Sequence, residues 1–243
     1  MAHGVKRRRN GFLEPRNYRY AIFSEGTVTE PAYFTGMKIA IEKKAAYRNM
    51  IYVKGTGRET QRVLEAARQW VSISHPRRCQ VWCLYDKDEF PRDHFNNVLQ
   101  SMDALNKGHT GIEYYAGWSN ECFEYWLVLH FILYRSNNGR EAYTEILNEQ
   151  FQKLLHKKYS KEKSACLSLS ESGYPLLYED ILKAGSPKNA IRNAEKQLDY
   201  LEKQYGKELL LHKPSEAVPA TTVHKLVKEL AGYLGKDEKK YFL

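Results

Sequence analysis

The 243-residue chain has only four cysteines, Cys79, Cys83, Cys122 and Cys166. Cys79 and Cys83 stand four apart and no histidine cluster completes them, which excludes a zinc knuckle and a dense disulfide framework. Reduced thiols are the simplest reading. No apolar run approaches the roughly 18 residues that a membrane-spanning helix needs. The N-terminus also lacks the apolar stretch of a secretory signal, so a cytoplasmic protein with no membrane partner is expected. There is no internal repeat, no low-complexity linker and no glycine-rich phosphate loop of the P-loop type. What remains is a globular chain: 42% of residues are hydrophobic, enough for a substantial core. The length suits one large domain, or one domain with an appendage.

The net charge of +9 is unevenly spread. Residues 1–20 carry six basic groups against the single acid Glu14. Residues 21–134 carry thirteen of each sign, and residues 135–243 carry nineteen basic against fifteen acidic groups. Basicity is therefore confined to a tail and to the C-terminal half.

Residues 1–16 read as a flexible basic arm, because Gly4, Gly11 and Pro15 oppose regular structure and Lys6 to Arg9 repel one another. From residue 17 to 134 the pattern is strand, helix, strand, helix. Strands are expected at Tyr18–Phe23, Met50–Val53, Val81–Tyr85 and Ile112–Ala116. Thr29 is placed to cap a helix with Pro31 in its first turn, and Thr56 to Glu59 matches a capping box before a second helix. A third helix is expected from about Asp93 to Leu105. A strongly apolar fourth helix follows Ser119 and Asn120, with Phe123, Trp126, Leu127, Leu129 and Phe131 as core residues. This alternation implies right-handed crossovers and a parallel sheet covered on both faces. Residues 135–243 change style, with helices near 142–159, after Ser186-Pro187 and after Thr222, and no convincing strand. The expected fold is α/β: a parallel sheet with flanking helices and a helical C-terminal addition packed on it.

Open parallel sheets bind ligands outside the carboxyl ends of their strands. Glu25 follows the first strand, Asp86, Asp88 and Glu89 follow the third, and Ser119 and Asn120 follow the fourth. All would meet at one edge. Carboxylates a few ångströms apart cannot all ionise without a cation, because each raises the pKa of the next. A hard divalent metal held by oxygen ligands resolves this, and Mg²⁺ suits one or two carboxylates completed by phosphate oxygens and water. In an extended Asp86-Lys87-Asp88 both acids point the same way. Gly26 permits a tight turn and the close approach of a phosphate backbone. Glu30 is more simply a first-turn acid favoured by the helix dipole. Glu124 lies in the first turn of the fourth helix and can join the acids, whereas His130 reads first as a buried core histidine. Asn120 and Ser119 can cap that helix or contact phosphate. Arg7, Arg8 and Arg9 could meet a polyanion non-specifically, as could Lys153, Lys157, Lys158, Lys161 and Lys163.

Three stretches together carry a resemblance: Phe23-Ser-Glu-Gly-Thr-Val-Thr-Glu-Pro-Ala-Tyr-Phe34, Tyr85-Asp-Lys-Asp-Glu-Phe90, and Ser119-Asn-Glu-Cys-Phe-Glu-Tyr-Trp-Leu-Val-Leu-His-Phe131. They resemble the signature stretches of the RloB-like family, and Thr221-Thr-Val-His-Lys-Leu-Val227 resembles its C-terminal segment. The match runs over nearly the whole chain. One departure is Glu121, where the family usually has proline. The resemblance implies a Toprim-type, Rossmannoid fold. It implies that Glu25 serves as general acid/base or metal ligand and that Asp86 and Asp88 hold Mg²⁺ or Mn²⁺. It also implies kinship with the nuclease-like partners of AbiL-type abortive-infection systems against phage, often encoded beside an ATPase. The expected activity is metal-dependent hydrolysis of DNA or RNA, transfer RNA included, with Glu124, Glu89, Asn120 and His130 as possible helpers. The competing expectation is a noncatalytic module that binds metal and nucleic acid or senses a nucleotide. Nucleotidyl transfer of the primase kind is a third, but no phosphate loop supports it.

Overall fold

The continuously apolar runs form a sheet that is buried on both faces. The structure, a computed structural model, describes residues 18–87, 92–108 and 110–243. The expected basic arm with Arg7, Arg8 and Arg9 lies outside these residues, as do Asp88 and Glu89 of the acidic loop. The chain runs through β1 (Tyr20–Ser24), α1 (Thr29–Glu42), β2 (Ile51–Gly55), α2 (Thr60–Ser74), β3 (Cys79–Asp86), α3 (Arg92–Asn106), β4 (Ile112–Asn120) and α4 (Glu124–Val128). It continues through α5 (Gly139–Leu155), α6 (Lys163–Leu167), α7 (Leu176–Ala184), α8 (Pro187–Tyr205), α9 (Lys207–His212), β5 (Ala220–Thr221), α10 (Val223–Ala231) and α11 (Lys236–Lys239).

The sheet order is β2-β1-β3-β4-β5. The first four strands are parallel and β5 is antiparallel to β4. This is an α/β fold with a mostly parallel sheet flanked by helices, as expected for a Toprim-like Rossmannoid chain. Alternate residues of a strand face opposite sides. On β1, Tyr20 and Ile22 enter one apolar cluster with α1, α4 and α10, while Ala21 and Phe23 enter another with α2 and α3. On β3, Trp82 and Leu84 join the first cluster and Val81, Cys83 and Tyr85 the second. Burial on both faces is why these strands read as unbroken apolar runs rather than as alternation. All four cysteines are buried and unpaired.

The chain leaves β1 toward β2 on one side and returns from β2 to β3 on the other. The order therefore reverses between β1 and β3, which are neighbours. β3 runs two residues past the end of β1: Ser24 pairs with Leu84, while Asp86 pairs with Ser119 of β4. A crevice at such a reversal is where open α/β sheets place ligands.

The structure departs from several expectations. A strand does exist after residue 135: the two-residue β5 pairs Thr221 with Ser119 and Ala220 with Asn120. Consequently β4 runs on to Asn120, and Ser119 and Asn120 are sheet residues rather than helix caps. The Ser119 hydroxyl lies 3.1 Å from Thr221 Oγ1, and Asn120 Nδ2 donates to the carbonyls of Pro214 and Ser215. The peptide joining Asn120 to Glu121, at the position of the departure from the family pattern, is cis. Thr56 does not cap α2; its hydroxyl donates to the Ser24 carbonyl and ties β2 to β1. Thr29 lies inside α1, behind Val28. Thr222 precedes α10, but its hydroxyl serves β4, accepting from Trp118 N and donating to the Ala116 carbonyl. Ser186 does cap α8, accepting from Asn189 N. The fourth helix stops at Val128, because the next carbonyls are engaged elsewhere. Leu129 O accepts from Asn193 Nδ2, and His130 O accepts from Ser186 N.

Candidate active site

A cavity of about 320 Å³ opens at the reversal between β1 and β3, and the carboxylates of Glu25, Glu30, Asp86 and Glu124 line it. Each arrives by a different route. Glu25 is the first residue beyond β1, and its N–H donates to the Leu84 carbonyl, which carries the sheet pairing one step past the strand. Its Oε2 accepts from Thr60 Oγ1 at 3.2 Å and from Asp86 N at 3.5 Å. Thr60 begins α2, so that helix steers the carboxylate toward β3. Asp86 closes β3, and its Oδ2 accepts from Phe123 N at 3.2 Å. Glu30, in the first turn of α1, curls back so that Oε1 accepts from Gly26 N at 3.0 Å. A Cβ on Gly26 would collide with that Glu30 carboxylate, which would have to swing aside. Glu124 opens α4 and is buried.

The electrostatics follow from the crowding. Burial, reinforced by the charges of Glu30 and Glu59, pushes the Glu25 carboxyl up to about 7. Burial, then the Glu124 charge, pushes Glu30 to about 7 as well, against the pull of Lys161. Asp86 is driven well above the usual carboxylate range by burial and then by Glu30, Glu124 and Glu25. Four carboxyls thus share a buried crevice that two cationic side chains, Arg140 and Lys161, also line.

Of the expected site residues, Glu25, Asp86 and Glu124 come together as anticipated. Asp88 and Glu89 lie outside the described residues. Asn120 turns instead into the packing against Pro214 and Ser215, and is almost fully buried. His130 is fully enclosed: Nε2 lies 3.1 Å from the Tyr33 hydroxyl and Nδ1 3.0 Å from the Trp126 carbonyl. Burial lowers its pKa to about 4, so it is a neutral core residue away from the cavity. Lys157 pairs with Asp180 at 2.6 Å, and Lys158 is exposed.

Sequence reasoning missed three participants, Glu30, Thr60 and Tyr159, and named Lys161 only as one of five lysines able to meet a polyanion. Glu30 was assigned to the helix dipole, yet it stands five residues after Glu25 in the same signature stretch, a spacing that marks both. Thr60 carried no signal beyond its place at the start of α2. Lys161 and Tyr159 come from the segment between α5 and α6, which only the tertiary path brings to the sheet edge.

The donor set suits a hard divalent cation. Glu25 and Asp86 are joined through the Asp86 N–H and lack a cationic partner among the described residues. Among those residues, no group of three or more His, Cys, Asp and Glu side chains is arranged to hold an ion unaided. Two carboxylates completed by phosphate oxygens and water match what Mg²⁺ accepts.

Acids gathered at the reversal of a mostly parallel sheet define a Rossmannoid α/β protein with an acidic crevice. Residues 20–230 match the profile of the RloB-like proteins, and the chain belongs to that family. Neither the curated proteins nor the solved structures compared with it give a match. No helix among the described residues is long and apolar enough to cross a membrane.

Proposed function

We propose that the protein is a divalent-metal-dependent nuclease that hydrolyses phosphodiester bonds of DNA or RNA. The observation that carries this reading is the convergence of Glu25, Glu30, Asp86 and Glu124 on one crevice, with three of the four carboxyls pushed upward. Glu25 and Asp86, with Asp88 two residues on, would hold Mg²⁺ or Mn²⁺. The metal would supply Lewis acidity at a phosphate oxygen and a more acidic bound water. Glu25 would also accept a proton from the attacking water. Thr60 fixes the Glu25 carboxylate by donating to Oε2, and Phe123 N fixes Asp86.

Kinship with AbiL-type systems supports a role in prokaryotic defence against phage, with an ATPase as partner. Co-purification of an ATPase encoded beside the gene is the direct check of that part.

The activity is tested by incubating the protein with plasmid, single-stranded DNA and transfer RNA, with and without Mg²⁺ or Mn²⁺. Metal-dependent cleavage that disappears in Asp86→Ala plus Asp88→Ala is the expected result. Cleavage that survives the double substitution sinks the assignment. Binding without turnover, retained in that variant, would make the protein a noncatalytic module.

A further inference from the structure

Lys161 reaches the crevice from outside the sheet. Its Nζ lies 2.8 Å from Glu124 Oε1, and the Tyr159 hydroxyl donates to the same oxygen at 3.0 Å. Among the described residues, Glu124 alone of the four crevice carboxylates forms an ion pair. A buried carboxylate demands such partners, and here it has two. Glu124 thus has a cationic partner, whereas Glu25 and Asp86 accept only from neutral donors among the described residues. The Lys161 side chain is 48% exposed and lines the cavity. An ammonium has three donors, so the one aimed at Glu124 leaves two for another oxygen ligand. Burial and two hydrogen bonds at Glu124 hold the ammonium at the rim, where a free surface lysine would wander.

We infer that Lys161 contacts a phosphate of nucleic acid bound in this crevice, oriented by Glu124 and Tyr159, and that Glu124 is a positioning residue rather than a metal ligand. This rests on the nuclease reading and narrows it. The negative site then has two divisions of labour: Glu25 and Asp86 toward the cation, Lys161 with its carboxylate holder toward the polyanion. Lys157 is different in kind, since it is paired away from the crevice with Asp180.

The test titrates the full chain with labelled single-stranded DNA and RNA oligonucleotides in Ca²⁺ over a range of salt. Lys161→Ala should weaken binding roughly fivefold and lower the slope of log affinity against log salt by about 0.7, the loss of one single-strand phosphate contact. Lys161→Arg should keep both. In a Glu124→Gln background, Lys161→Ala should cost less, because the holder is gone. Calorimetry with Mn²⁺ should show that Glu124→Gln still binds the ion. Lys161→Ala binding with wild-type affinity and slope overturns the inference alone, as does loss of Mn²⁺ binding in Glu124→Gln. Wild-type protein that binds neither oligonucleotide overturns the nuclease reading, and this inference with it.

Discussion

At the scale of the residue, the acids of the crevice make stability depend on pH. Glu25 and Glu30 have folded-state pKa values of about 7, above the ordinary value of 4.5. A raised carboxyl contributes stability that is fully present below its unfolded pKa and is lost as pH rises through the folded one. His130 and His224 have the opposite sign: burial lowers both to about 4, so their penalty falls away as pH climbs to about 6.5. The two effects oppose each other in mild acid. At pH 6.5 an unfolded histidine is still half protonated, so between pH 6.5 and 8 the histidines offset part, but not all, of the stability that the carboxyls lose. Metal-free protein should therefore melt a few degrees lower at pH 8 than at pH 6.5. Glu25→Gln should flatten the trend, as scanning fluorimetry would show. A melting temperature that rises across this window contradicts the crowding. Glu25 and Asp86 were legible in the sequence because each ends an apolar run long enough to be a strand. Glu30 was not, since a first-turn acid already has an explanation in the helix dipole. Lys161 was legible only as one of five lysines able to meet a polyanion, because nothing local distinguishes it from Lys157 or Lys158.

At the scale of the element, the parallel strands were legible because burial on both faces leaves unbroken apolar runs. β5 was not, since two residues carry no period. Its invisibility explains the misreading of Asn120: a Ser-Asn pair before an apolar helix looks like a cap unless an unseen strand claims it. The early termination of α4 has the same origin, in long-range bonds from Asn193 and Ser186. Packing between α1 and α7 is equally tight. A Cβ on Gly36 would run into the ring of Tyr178, which is almost fully buried. Gly36→Ala should therefore destabilise by about 1–3 kcal/mol despite its better helix propensity, the usual cost of overfilling a core. Denaturant melts of the two proteins measure this. Equal or greater stability in the variant would mean that Tyr178 can move aside.

At the scale of the whole molecule, charge and chemistry are carried by different parts. Residues 21–134 are balanced in charge and hold the crevice acids, while the excess positive charge lies in residues 1–20 and 135–243. Removing residues 1–16 should weaken nucleic-acid affinity and its salt dependence more than turnover at saturating substrate. An equal loss of both would show that the arm contributes to the chemistry. The C-terminal half is more than a source of charge, because it shares the core of the sheet. Val223, Leu226 and Leu230 of α10 lie in the same apolar cluster as Tyr20 and Ile22.

The Tyr20 hydroxyl donates to Glu229 Oε1 at 2.6 Å, across 209 positions of sequence. Glu229 is therefore made 209 residues after Tyr20, since synthesis proceeds from the N-terminus. Lys161 and Tyr159 reach the crevice only after every acid-bearing loop has been made, and β5 seals the sheet edge later still. A ribosome stalled midway through the message therefore holds the acids without their frame. The crevice is complete only once the segment bearing Tyr159 and Lys161 has joined the acids made before it.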